Sequence, residues 1–212
     1  MRRAFVPLLS GLVLASTAGC HDRSAAAGAP FSDDFERAEL GNSWNATSPA
    51  YRIAAGALEV SNAYNHPAWL RSPLPANVQI DLDVASKSPD GDIKIELYGD
   101  GASYDPDKGS YDSTGYVLIF GGWHNTLSII ARLEEHGAGR KAERANPKVV
   151  PGQRYHFRVT RKNGTIDWSI DGQPFLSWTD PEPLAGPTHE YFAVNDWETD
   201  VTFDNLQIRP VP

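Results

Sequence analysis

The sequence predicts an all-β fold in which two antiparallel sheets stack face to face, and three observations carry that prediction. From Tyr155 to Trp178 apolar and polar residues alternate around two turns, Asn163-Gly164 and Asp171-Gly172, whose residue types tolerate the positive φ of a tight type I′ hairpin. The rest divides into short alternating or apolar runs separated by Gly, Pro, Asn or Asp, about eleven or twelve strands in all. No segment from residue 31 onward holds a convincing helical period. A three-stranded meander leaves one apolar face bare, so the remaining strands are required as its second layer.

Taken in order, residues 1–20 (MRRAFVPLLSGLVLASTAGC) join two early arginines, an apolar run and a small-residue end, the build of a secretory signal. The run is too short to stay as a membrane span. Its last four residues, Thr17-Ala18-Gly19-Cys20, resemble the lipobox of bacterial lipoproteins, with Thr17 in place of the usual Leu. The resemblance implies lipidation at Cys20 and a lipid anchor in the bacterial cell envelope, at the outer membrane; the alternative is an ordinary signal peptide cut nearby. Cys20 is the single cysteine, which excludes an internal disulfide and a cysteine-based zinc site. Residues 21–30 are small and polar and read as a flexible tether. Residues 31–210 then fit one domain, with 41% hydrophobic content over the chain to supply its core. Removing Arg2 and Arg3 from the 19 basic residues leaves 17 against 27 acidic ones, a net charge of −10 that argues against nucleic acid as a partner.

Within the domain, Asp33-Asp34-Phe35 opens the first segment and a turn at Ala55-Gly56 leads into Leu58 to Val60. Trp69 to Arg71 form a short strand stopped by Pro73 and Pro75. Val78 to Val84 alternate, with Gln79, Asp81 and Asp83 outward, and Asp90-Gly91 turns the chain into Ile93 to Tyr98. There Ile93, Ile95 and Leu97 share one face, and Lys94, Glu96 and Tyr98 the other. Residues 99–114, rich in Asp and Gly, form a long loop. Gly115 to Gly122 read as a buried strand. Leu127 to Glu134 are its partner across Trp123-His124-Asn125-Thr126, the alternation outweighing the helix-forming residue types of 127–136. Residues 136–148 read as a polar, basic loop, and Tyr191 to Val194 with Val201 to Ile208 close the domain.

On the strength of DDFER with LGNSW, YRIAAGALEV, RYHFRVTRKNGTIDWSIDGQPF and VTFDNLQI, the segment from Phe31 to Ile208 resembles the concanavalin A-like, laminin-G-like jelly-roll superfamily. The resemblance implies a jelly-roll sandwich whose concave sheet meets carbohydrate. Lectins, adhesion domains, glycan lyases and family 16 glycoside hydrolases share that scaffold, so it does not choose a function. The E-x-D-x-E strand of the family 16 enzymes is absent, and Asp81 with Asp83 reads instead as a solvated outer face.

Sugars are held by aromatic rings against their apolar faces and by charged or amide groups on their hydroxyls. Lys94, Glu96, Tyr98, Tyr116, Trp123, His124, Arg132, Asn195 and Trp197 are the expected ligand-binding set, with His66 and Arg71 as further polar candidates. Trp123 and Trp197 each have a plain alternative as lids over the sheet edge, and Lys94 with Glu96 as a cross-strand ion pair. An enzyme would draw on Glu96, Arg132, His124 and Tyr116; an adhesion or scaffold domain contacting protein is the third reading. The histidines are too scattered for a transition-metal site. Similar jelly rolls often hold a structural calcium near their termini, which implies Asp34 and Asp204 as ligands; the alternative is that both bond backbone groups. The loop aspartates Asp100, Asp105, Asp107 and Asp112 are a second calcium candidate, and without the spacing of an EF-hand they read rather as a solvated acidic loop.

Overall fold

The alternation read from the sequence becomes fifteen strands in the computed structural model, which describes Met1 and residues 28–102 and 113–212. Cys20, most of the tether, Asp105, Asp107 and Asp112 lie outside the described residues. In chain order the strands are β1 (Phe31–Asp33), β2 (Trp44–Ala46), β3 (Tyr51–Ala54), β4 (Ala57–Ser61), β5 (Ala68–Leu70), β6 (Val78–Ser86), β7 (Ile93–Gly99) and β8 (Tyr116–Gly121). After a single turn, Gly122–Asn125, come β9 (Leu127–Arg132), β10 (Arg140–Arg144), β11 (Arg154–Lys162), β12 (Thr165–Ile170), β13 (Gln173–Thr179), β14 (Tyr191–Asn195) and β15 (Asp200–Pro210).

They form two antiparallel sheets, a jelly-roll sandwich. The first runs β13-β12-β11-β6-β15-β4-β3, with β1 also on β15; the second runs β10-β9-β8-β7-β14-β5-β2. The meander sits at the edge of the first sheet, and its turns have the expected geometry: φ is +51° and +83° at Asn163-Gly164, and +51° and +75° at Asp171-Gly172. Val78, Ile80, Leu82 and Val84 of β6 and Phe157 and Val159 of β11 point inward, against Ile93, Ile95 and Leu97 of β7 and Leu118 and Phe120 of β8. Outward on the first sheet, Asp81 is gripped by Arg158 (2.6 Å) and Arg209 (2.7 Å), and Asp83 by Arg154 (2.7 Å).

The structure corrects the expected strand count and one loop. Residues 140–144 are not loop but strand β10, paired with β9. The segment RKAER has no apolar alternation because it is an edge strand, with charged side chains outward.

Candidate functional site

The second sheet has an outer face as well as a core face, and β7 decides what stands on it. Lys94 lies opposite Ile119 of β8 and Asn195 of β14, and Glu96 opposite Val117 and Ala193, so these side chains share the face turned away from the core. Loops then cover that face. Lys94, only 1% exposed, donates from Nζ to Asn65 Oδ1 and to Glu135 Oε2, the latter at 2.9 Å. Burial works against the charged amine, but Glu135 and Asp92 outweigh it and hold its pKa above that of an ordinary lysine. Glu96 is fully buried, accepting from Asn195 Nδ2 (2.9 Å) and Ser113 Oγ (3.2 Å). Glu96 also favours the charged amine, and Glu135, brought by the loop after β9, adds an ion pair that strand alternation did not predict.

Two walls rise beside this floor. On one side the loop before β5 and the loop after β14 zip together through Tyr64 N–H to Trp197 O (3.0 Å) and Asn65 N–H to Asp196 O (2.9 Å). Asp196 locks them, accepting from the N–H of Ala63 (2.8 Å) and of Thr199 (3.0 Å). Burial pushes its carboxyl up to about 6, against the pull of those bonds. The result is an aromatic wall: Trp197 is 46% exposed, with the ring of Tyr64 edge-on at 5.2 Å.

The opposite wall is the turn after β8. Trp123, His124 and Asn125 all have left-handed backbone, at φ +51°, +55° and +58°, which costs a non-glycine residue about 1–2 kcal/mol. Asn125 offsets that cost by clamping Pro89 O (3.1 Å) and both backbone groups of Val149 (2.8 and 2.9 Å). Trp123 is thereby held upright, backed by the Arg140 guanidinium 4.1 Å from its ring centre and by His136 edge-on at 5.8 Å.

Between the walls is a pocket of about 370 Å³, within the range of small-molecule sites. Lys94 and Ile119 form its base, Trp123 and Trp197 its sides, and Asp90, Asp92, Glu135 and Glu198 bring carboxylates to it. Asp92 is 8% exposed and takes the Trp197 N–H on Oδ2 at 2.6 Å; burial raises its pKa. His124 stands at the rim, 3.3 Å from Asp90.

Of the nine expected ligand residues, Lys94, Trp123, His124 and Trp197 line this pocket, and Glu96 and Asn195 are hydrogen-bonded to each other on the same sheet face. Tyr98, Tyr116 and Arg132 do not belong to it. Tyr98 is an extra residue in β7, since Tyr191 pairs with Gly99 and Phe192 with Leu97. With φ at +56°, this bulge turns its ring into the core, where its hydroxyl donates to Pro75 O at 2.7 Å. Tyr116 and Arg132 are cross-strand partners, as expected, but they face the first sheet. Both reach Asp180, at 2.8 and 2.9 Å. Burial would raise that carboxyl, but the Glu182 N–H, Tyr116 and Arg132 hold it below the ordinary value. His66 bonds Ala63 O within its own loop, and Arg71 reaches Trp44 O and Asn45 Oδ1 of β2.

Asn65, Asp92, Glu135 and Asp196 escaped the sequence reading. Only Asp196 carried a signal there, as the middle of Asn195-Asp196-Trp197. Among the described residues no group of three or more His, Cys, Asp or Glu is placed to hold a metal ion. Asp34 accepts the Glu36 N–H (3.2 Å), and Asp204 the Asn205 N–H (2.7 Å) and the Arg154 guanidinium (2.9 Å). Each thus bonds a backbone N–H.

Solved structures of the same architecture include the carbohydrate binding module CBM66 from Bacillus subtilis, 14% identical, with a TM-score of 0.59 over 81% of this chain and 98% of that one. The exoplasmic/lumenal domain of VIP36, bound to Ca2+ and Man3GlcNAc, is 10% identical with a TM-score of 0.61, over 80% of this chain and 84% of that one. Alginate lyase Aly36B is 12% identical with a TM-score of 0.58, over 88% and 98%. At such identities the likeness establishes the fold. A family described as "Farnesoic acid 0-methyl transferase" matches residues 103–207, just under half of the chain. No curated protein matches the sequence.

Proposed function

We propose that the pocket between Trp123 and Trp197 binds carbohydrate, and that the protein is a lipoprotein presenting this sandwich from the bacterial cell envelope. The observation that carries the reading is two tryptophans lining one pocket together with the hydrogen-bonded polar group of Lys94, Asn65 and Glu135. Rings of that kind supply stacking area for the apolar face of a pyranose, and the buried amine, amide and carboxylates supply donors and acceptors for its hydroxyls. The strained turn that holds Trp123 outward supports it, because strain of this type collects at functional sites. The names of two structural neighbours, a carbohydrate binding module and a glycan-bound lumenal domain, agree with it.

Binding is favoured over catalysis. Of the four residues an enzyme would draw on, Tyr116 and Arg132 stand on the face of the sheet opposite Glu96, and Glu96 is sealed beneath Ser113 and Asn195. A glycan array probed with the full-length protein tests the reading. Trp123→Ala and Trp197→Ala should each weaken the best ligand by about 2 kcal/mol or more, the cost of truncating a hot-spot ring. Arg132→Ala, engaged with Asp180, should bind like the parent. The proposal fails if both tryptophan variants bind unchanged.

The envelope location is supported by Arg2, Arg3, the apolar run and Cys20. Several acyl chains on one cysteine would hold the protein firmly, where a single chain anchors only marginally. Cys20→Ala should move the protein from the membrane fraction to the soluble one, and an unchanged distribution would overturn the anchor.

A further inference from the structure

Resting on the glycan reading, we infer that the pocket selects sugars carrying a free amine and excludes uronates. Four carboxylates line it, from Asp90, Asp92, Glu135 and Glu198, against a single lining lysine or arginine, Lys94. Lys94 is matched by Glu135 at 2.9 Å. Asp92 also acts on Lys94, but with four carboxylates against one amine the lining stays acidic, and Asp90 and Glu198 carry that potential to the ligand.

Asp92 is the focus of that potential. It is more than nine-tenths buried, and its Oδ2 takes the Trp197 N–H, while Oδ1 accepts no hydrogen bond from any described residue. Solvent reaches Oδ1 through the pocket, so a ligand donor there exchanges for water and adds its charge to the contact. An ammonium on a sugar ring supplies both the donor and the charge. Trp197 acts in the same direction, since the face of its exposed ring attracts a cation through its quadrupole, whereas the Trp123 ring already carries the Arg140 guanidinium. A uronate would instead bring its carboxylate against Asp92 and Glu198, and like charges brought together across an interface are strongly disfavoured. An N-acetyl group offers an N–H but no charge, so acetylated hexosamines fall between the two.

The test is titration calorimetry on the full-length protein with three probes of matched length: a glucosamine oligomer, an N-acetylglucosamine oligomer and an oligogalacturonate. The glucosamine oligomer should bind at least about tenfold tighter than its acetylated counterpart, and the uronate should give no signal. Asp92→Asn, which keeps an acceptor for the Trp197 N–H, should remove that preference. Glu198→Gln at the exposed rim should reduce it, and serves if Asp92→Asn does not fold. Glu39→Gln removes the same charge from an exposed position elsewhere and should leave the preference intact. If acetylated or uronate oligomers bind as tightly, or if Glu39→Gln acts like Asp92→Asn, the amine selectivity is refuted while glycan binding stands. If no probe and no array glycan binds, the glycan reading itself has failed.

Discussion

Replacing Lys94 by Met tests whether the pocket base is the dry ion pair the structure describes. Met keeps most of the side chain's length and removes the ammonium, leaving Glu135 without its ion-pair partner at 8% side-chain exposure and Asn65 Oδ1 without its donor. Breaking a buried pair by removing one partner costs about 3–5 kcal/mol, mostly the desolvation of the charge left behind. For a domain of this size each kcal/mol lowers Tm by about 2–4 °C, so a fall of about 6–20 °C is expected. The double variant Lys94→Met/Glu135→Gln removes both charges and should recover about 1–3 kcal/mol relative to the sum of the singles. Urea unfolding of the parent, both singles and the double at one pH measures the cycle, provided the m-values agree. If Lys94→Met costs less than about 1 kcal/mol, or if the singles simply add, the pair is solvated and the pocket base has been misread.

Two further outcomes follow from the same geometry. Because burial holds Asp196 at about 6 against an ordinary 3.8, the native state retains a proton that the unfolded chain has released. Its contribution is full below the ordinary value and is lost as pH rises through the folded one, at most roughly 3 kcal/mol. Urea midpoints should therefore fall across that window and be flatter in Asp196→Asn; equal slopes would remove Asp196 as the cause. Gly99→Ala would put a methyl 2.2 Å from Trp69 Cη2 and should cost about 1–3 kcal/mol with a changed near-ultraviolet dichroism signal. Gly172→Ala meets open space at φ +75° and should cost about 1 kcal/mol through backbone strain alone, with the signal unchanged. The assignment of close packing to Gly99 fails if the two variants are indistinguishable.

The parts of the site that were legible came from local pattern. Period-two alternation is a property of a single strand, so the inward set of β6 and the placing of Lys94 and Glu96 opposite Ile93, Ile95 and Leu97 needed no partner strand to be known. Trp123 and Trp197 stood out because each is a large ring beside an amide in a connection between strands. The alternation rule failed two residues after Glu96, at Tyr98. A bulge depends on where the neighbouring strand pairs, and nothing in Ile93 to Gly99 announces that Tyr191 will choose Gly99.

Register separates the two kinds of knowledge. Sequence alone determined an all-β chain, its two type I′ turns, which side chains of each regular strand share a face, and the net acidity of residues 21–212. It even paired Tyr116 with Arg132. Only the tertiary structure decided which face that pair would occupy, because sliding a strand by one residue exchanges its two sides, and here Ile119 and Val117, not Tyr116, came to lie beside Lys94 and Glu96. Asn65 and Glu135 reach Lys94 from 29 and 41 residues away, and Asp196 joins its loop to Ala63 across 133. Such contacts form when two distant loops close over one buried charge, and the free energy that selects them belongs to the packed whole rather than to any segment of the chain.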